Sequence, residues 1–265
     1  MIWFSSQLKF NPTYKPAAER LFSALRKAKT DFRLLDGTRD IWLRDFMPVK
    51  TRTGTYVSFR YTPSYLADAP ELRTDYRSDI APAFSLSVTD SFINLDGGNV
   101  VFSPSKEKAV VSDRIFLENP AFDKTALLKE LEKVLQAQVL VIPSLVSDMT
   151  GHADGMVRFV NETTAIGNRV PAKNGLEQKI KAALRTYSIQ VVDFPYFSSK
   201  NNSAVGCYLN FLETENYIFL PTFGVPMDQE AIETAGQLFQ KAIVPVRVPE
   251  IAQDGGALNC ISWES

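Results

Sequence analysis

The sequence predicts an α/β protein built from five similar modules set around a common axis. Helix-period patterns each lead into a short β-rich run, and polar residues able to do chemistry recur at nearly even intervals. Asp45, Asp96, His152, Cys207 and Cys260 lie 51, 56, 55 and 53 residues apart, and one fifth of the 265-residue chain is 53. A repeat that accounts for the whole chain is the signature of an architecture closed on itself. Residues 1–265 therefore read as a single domain whose equivalent loops meet at the centre. An α/β sandwich with coincidental spacing is the alternative.

The first unit places Ala18, Leu21, Phe22 and Leu25 at helical spacing within Lys15–Lys29, with Pro16 near the first turn, and Phe32–Leu35 follows as a strand. Leu127, Leu128, Leu131 and Leu135 mark a second helix before the strand Val139–Ile142. Leu176, Ile180, Ala183 and Leu184 mark a third before Ile189–Phe194, and Gln229–Lys241 a fourth before Ile243–Val248. Pro63–Phe84 is only weakly helical, and Ser85–Val88 is the strand expected after it. Two hairpins are expected, Phe46–Val49 with Tyr56–Tyr61 and Cys207–Leu212 with Tyr217–Leu220.

Composition narrows the function. With 29 Lys and Arg against 30 Asp and Glu, the net charge of -1 supplies no field for gathering a polyanion, which argues against a nucleic-acid partner. No window approaches the roughly 20 apolar residues of a membrane span, and the first residues lack a leader pattern. Two cysteines are too few for a disulfide framework, so a reducing, cytoplasmic setting is expected, with self-association left open. One histidine and two distant cysteines also make a poor zinc site.

His152 is the sole histidine and sits in Gly151-His-Ala-Asp-Gly155, where flanking glycines let backbone approach a ligand; a structural histidine is the plainer reading. If the segment is extended, His152 and Asp154 project to the same side. Cys260 follows a double-glycine turn, against the alternative of an inert buried thiol, and Cys207, beside an apolar run, reads as packing. Asp45 in an Arg-Asp pair and Asp96 in an Asp-Gly turn are weak signals singly. Convergence of Asp45, Asp96 and Asp154 would cost several kcal/mol each in desolvation, so such a site needs a metal or a cationic ligand. A planar guanidinium, whose forked donors match carboxylates, is the natural candidate.

In chain order WLRDFMP (Trp42–Pro48), LDGGN (Leu95–Asn99), GHADGMVRF (Gly151–Phe159), Asn210-Phe211 with LPTFG (Leu220–Gly224), and GGALNC (Gly255–Cys260) resemble the agmatine deiminase and bacterial (Porphyromonas-type) peptidyl-arginine deiminase family. The resemblance runs from about Thr38 to Trp263. It implies the pentein fold of the guanidino-group-modifying superfamily, a five-bladed α/β propeller of ββαβ modules. It also implies hydrolysis of a guanidinium substrate, such as agmatine or an arginine derivative, to a ureido product and ammonia through a covalent Cys intermediate. By that resemblance Cys260 is the nucleophile, His152 the general acid/base, Asp45 and Asp154 the guanidinium clamp, and Asp96 the acid of the superfamily's Asp/Glu-Gly-Gly motif. Trp42 is expected to line the pocket, with core packing as the alternative. Asn259 stands where the family commonly has a His, next to the substrate, and Arg44 is expected at the substrate or paired with one of the acids. No metal and no organic cofactor is implied. Amidino transfer to an amine and non-catalytic capture of a guanidino ligand are the competing readings.

Overall fold

The computed structural model describes residues 1–144, 148–169, 175–198 and 203–265. Its strands form five three-stranded sheets of one pattern. β1 (Ile2–Ser5) pairs in parallel with β2 (Phe32–Leu35). β3 (Val49–Lys50), β4 (Tyr56–Arg60) and β5 (Val88–Asn94) make the second sheet. β6 (Val101–Phe102), β7 (Lys108–Ser112) and β8 (Gln138–Ile142) make the third. β9 (Val157–Phe159), β10 (Thr164–Asn168) and β11 (Gln190–Phe194) make the fourth. β12 (Leu212–Glu213), β13 (Tyr217–Thr222) and β14 (Ala242–Arg247) make the fifth. The first sheet is completed by β15 (Ser262–Glu264), which runs antiparallel to β1. In every sheet the middle strand has one antiparallel and one parallel neighbour. A parallel pair needs a long crossover, and this is where the helices fall.

The helix Lys15–Lys27 buries Ala17, Ala18, Leu21, Phe22 and Leu25 on one face, and Pro16 occupies its first turn. The helix Lys124–Leu135 is capped by Asp123, which accepts from the Ala126 N–H, and stops at Gln136 in the left-handed conformation. Leu176–Arg185 and Met227–Leu238 complete the helices the sequence predicts. Among the described residues the buried apolar side chains fall into five clusters, each shared by two consecutive sheets. Ile2, Phe4 and Leu21 of the first module, for instance, pack with Leu212, Phe219 and Val246 of the fifth. No module therefore owns a complete core, which is why the repeat must close.

Three expectations need correction. Pro63–Phe84 forms no helix like its counterparts; it makes 3-10 turns at Ser64–Leu66, Pro70–Leu72 and Ala81–Ala83 and a wide turn at Tyr76–Ile80. Prolines at 63, 70 and 82 remove donors and bar longer helical runs. The strand after it is Val88–Asn94 rather than Ser85–Val88, because Phe92 faces out while Ser91 faces in, and so the usual alternation is inverted. The leading hairpin strands are also shorter than expected. Phe46 ends the helical turn Leu43–Phe46, and Cys207 makes only an isolated bridge to Tyr196 ahead of Leu212–Glu213. Both runs are nearly wholly buried, and periodicity cannot tell a buried strand from a buried turn.

Candidate active site

Each module's leading strand is preceded by an irregular segment, and side-chain and backbone hydrogen bonds link these segments in a ring. The Gly98 N–H donates to Asp45 Oδ1 at 3.2 Å, and the Ala153 N–H to Asn99 Oδ1 at 3.2 Å. Asn210 Nδ2 donates to Asp154 Oδ2 at 3.0 Å, and its Oδ1 accepts the N–H groups of Ala257 and Cys260 at 3.0 and 3.2 Å. The Arg44 N–H then donates to the Cys260 carbonyl at 3.0 Å and completes the circuit.

That ring brings the five singled-out residues together out of solvent: Asp45, Asp96, His152 and Cys260 are 7 to 8% exposed and Asp154 2%. His152 Nε2 lies 2.8 Å from Asp96 Oδ2, and Nδ1 lies 3.6 Å from Asp45 Oδ1. An ionised carboxylate only accepts, so Nε2 carries a proton and Nδ1 is the nitrogen facing Asp45. Cys260 Sγ is 3.6 Å from Asp154 Oδ2, which also accepts from Asn259 Nδ2 at 2.6 Å. Gly98 is required by close approach: a Cβ there would fall 2.6 Å from Asp45 Oδ1 and 2.7 Å from His152 Nδ1.

The charges do not balance. Among the described residues no Lys or Arg pairs with Asp45, Asp96 or Asp154, and His152 is the only nearby cation. Burial opposes a charge on His152, but Asp45 and the hydrogen bond to Asp96 outweigh it and raise the imidazole to about 10. Burial lifts Asp45 to about 8 against the pull of His152, with Asp96 and Asp154 adding to the rise. Burial and then the carboxylates of Asp154 and Asp45 push the Cys260 thiol well above its ordinary range. The site is thus short of positive charge and holds its sulfur protonated.

The remaining candidates divide. Trp42 is half-buried and packs against the apolar cluster of the first and fifth modules; Gly256 lies between its ring and Cys260, since a Cβ there would fall 2.4 Å from Trp42 Cζ3 and 3.0 Å from Cys260 Cβ. Asn259 joins the cluster through Asp154. Arg44 does not: its Nε donates to the Asn259 carbonyl at 3.3 Å, and its Nη2 contacts Ser262 Oγ at 3.4 Å and Glu264 at 3.3 Å. One residue along a helical turn rotates a side chain by about 100°, so Arg44 points away from the side Asp45 presents and reaches Asn259, Ser262 and Glu264. Arg44 braces the Cys260 segment instead. Cys207 donates to the Gly155 carbonyl at 3.4 Å within an apolar cluster, as packing requires.

Sequence reasoning missed the roles of Asn210 and Tyr65. Asn210, the one amide in the apolar run Cys207–Leu212, carried the signal of a buried polar group that must find partners. Tyr65, whose hydroxyl donates to Asp96 Oδ2 at 2.9 Å, carried none. A groove of about 880 Å³ lies elsewhere, between the helix Lys15–Lys27 and β14; it lacks the thiol, imidazole and carboxylate grouping. Among the described residues no helix is long and apolar enough to cross a membrane, and no group of three or more His, Cys, Asp or Glu side chains is placed to hold a metal ion.

Five sheets of one pattern around a buried thiol, imidazole and carboxylates define a protein of the five-bladed pentein kind. Residues 11–265 match the Porphyromonas-type peptidyl-arginine deiminase family, and the chain belongs to it. An agmatine deiminase from C. jejuni superposes with a TM-score of 0.77 at 17% identity, covering 99% of this chain and 92% of that one. An agmatine deiminase of Enterococcus faecalis gives 0.77 at 16% identity, again covering 99% and 92%. DDAH from Pseudomonas aeruginosa gives 0.61 at 12% identity, covering 94% and 88%. A Streptococcus mutans protein that carries a provisional agmatine deiminase name is 40% identical over 62 residues, which span 23% of this chain and 17% of that protein.

Proposed function

We propose that the protein is a deiminase that hydrolyses a small guanidino substrate, agmatine or an arginine derivative, to the ureido product and ammonia. The observation that carries this reading is the charge deficit: three buried carboxylates share one imidazole and, among the described residues, pair with no Lys or Arg. A flat guanidinium between Asp45 and Asp154 would meet both with forked donors and supply the missing charge. Family membership and the deiminases among the structural relatives agree with it.

In this reading the substrate activates its own attacker. A guanidinium beside Cys260 reverses the local field, so the thiol releases its proton to solvent and the thiolate adds to the guanidinium carbon, forming a C–S bond as the C=N pair moves onto nitrogen. His152, charged and ready, passes the Nδ1 proton to the departing nitrogen; the C–N bond breaks and ammonia leaves. Water then adds to the S-linked thiouronium while His152 takes up its proton. The C–S bond breaks as the C–OH becomes C=O and its proton passes to the departing sulfur, freeing the ureido product and restoring the thiol. Asp96 holds the imidazole tautomer throughout. The test is ammonia release from agmatine, arginine, an arginine peptide and methylarginines; turnover of at least one with a matching ureido product is expected. Guanidino transfer to an added amine without ammonia would replace hydrolysis by amidino transfer.

Cation binding should also release protons. Asp45 is raised, so in the empty site it is neutral below about pH 8 and must ionise to hold a guanidinium. Affinity therefore weakens as pH falls through that value, by about tenfold per pH unit for one proton released. Calorimetry of Cys260→Ala with agmatine in buffers of different ionisation enthalpy should show about one proton released at pH 7. Proton uptake, or an affinity flat from pH 6 to 8, would rule out this role for Asp45.

A further inference from the structure

Asp96 Oδ2 serves two donors: His152 Nε2 at 2.8 Å and the Tyr65 hydroxyl at 2.9 Å. The Tyr65 ring also stands edge-on to the imidazole, with centroids 6.3 Å apart. Tyr65 belongs to the turn Ser64–Leu66, in the proline-broken segment between β4 and β5. That turn is fastened to the next module. The Ser64 N–H and Oγ donate to Glu118 at 2.9 and 2.6 Å, and Arg114 Nη2 donates to Ser64 Oγ at 3.0 Å. Arg114 Nε in turn pairs with Glu118 at 3.1 Å, and Asn94 Nδ2 reaches the same carboxylate at 3.2 Å. A water-sized cavity of about 10 Å³, lined in part by Asp96, Arg114, Glu118 and His152, lies between this latch and the imidazole.

We propose that Tyr65 is a positioning residue: by sharing Asp96 Oδ2 with His152, its hydroxyl limits how strongly Asp96 binds the imidazole, and the Ser64–Glu118–Arg114 latch delivers it there. A carboxylate oxygen divided between two donors gives less to each. Without Tyr65 the full charge of Asp96 falls on Nε2–H, and the imidazolium becomes a more reluctant acid. The catalytic consequence rests on the deiminase reading, since it matters only if His152 delivers a proton to a leaving group.

His152 faces Asp45 from the Leu43–Phe46 turn, Asp96 from the segment before β6, Asp154 from its own turn, and Tyr65. The Tyr65 side chain is also hydrogen-bonded to Tyr61, a bond that Tyr65→Phe removes as well, and lies near Asp45. Tyr65→Phe removes only the hydroxyl among these and keeps the ring contact. Because His152 is the only histidine in the sequence, its ring nitrogens can be followed without ambiguity by nitrogen NMR in tag-free, substrate-free protein. Tyr65→Phe is expected to move the His152 titration upward by about 0.5 to 1 pH unit. Glu118→Ala, which leaves Tyr65 intact but unfastened, is expected to move it in the same direction by less. An unmoved or lowered titration in Tyr65→Phe would overturn the proposal, as would a Glu118→Ala protein indistinguishable from wild type. This readout needs no turnover, so it stands apart from the deiminase reading. Where turnover is measured, kcat should fall several-fold with KM nearly constant, and the alkaline limb should shift with the NMR titration.

Discussion

Cys260→Ala is expected to eliminate ammonia release, by at least about 10⁴-fold, while a guanidino ligand still binds. The argument is geometric. The thiol is the only reactive sulfur in the cluster, and Cys207 is committed to the Gly155 carbonyl inside an apolar core and held up to about 12, chiefly by burial and then by Asp154. No neighbouring group can form the same covalent adduct. The carboxylates on either side are positioned by Gly98, Asn210 and Asn259; Asn210 also hydrogen-bonds the thiol, but its bonds to Asp154 and to the Ala257 N–H do not involve the sulfur, so the carboxylates are expected to keep their places. Quenched-flow mass spectrometry should find an adduct on wild-type protein and none on the variant. Activity persisting near wild-type level would end the covalent reading.

Asp154→Asn should be nearly as damaging and in a different way. Asp154 Oδ2 collects the amides of Asn210 and Asn259 and the thiol of Cys260. An asparagine can offer an oxygen to those donors only by turning its NH2 toward the place where the guanidinium's donors would lie. Loss of one partner of a buried, hydrogen-bonded charge pair costs about 3 kcal/mol or more, so kcat/KM should drop at least about 100-fold with binding and chemistry both impaired. Titration of agmatine into Cys260→Ala with and without Asp154→Asn separates the two effects. Equal affinity in both would show that the clamp does not include Asp154.

The parts of this molecule legible in its sequence are those where one physical signal dominates. The four amphipathic helices showed because a buried face of Leu and Ala repeats every turn, and the fivefold rhythm because chemistry recurs near residue intervals of 53. The second module was obscured by prolines in Pro63–Phe84 and by Phe92 facing solvent, where side-chain polarity runs against the strand's phase. Within the site, Asp96, His152 and Asp154 stood out as polar residues beside glycines, Cys260 followed a double-glycine turn, and Asp45 showed only through its place in the repeat and in the WLRDFMP motif. Tyr65 could not, because a tyrosine in a loop has the same local appearance whether its hydroxyl meets water or Asp96. Arg44 was equally hard to place: an arginine beside an aspartate gives no sign that its bonds run to Asn259 and Glu264 rather than to the buried acids.

The blade that carries Cys260 is assembled from chain segments about 260 residues apart, since β15 docks on β1 while the Cys260 carbonyl accepts from the Arg44 N–H. Such a seam is slow to find in folding because it depends on the longest-range contacts in the molecule. Until it forms, the sulfur sits in water with an ordinary acidity near 8.5 and reacts readily with electrophiles. Once it forms, burial and the neighbouring carboxylates of Asp154 and Asp45 hold the thiol protonated. Ring closure is therefore also a safety catch: the same event that gathers the thiol, imidazole and carboxylates shields the sulfur from indiscriminate alkylation and oxidation.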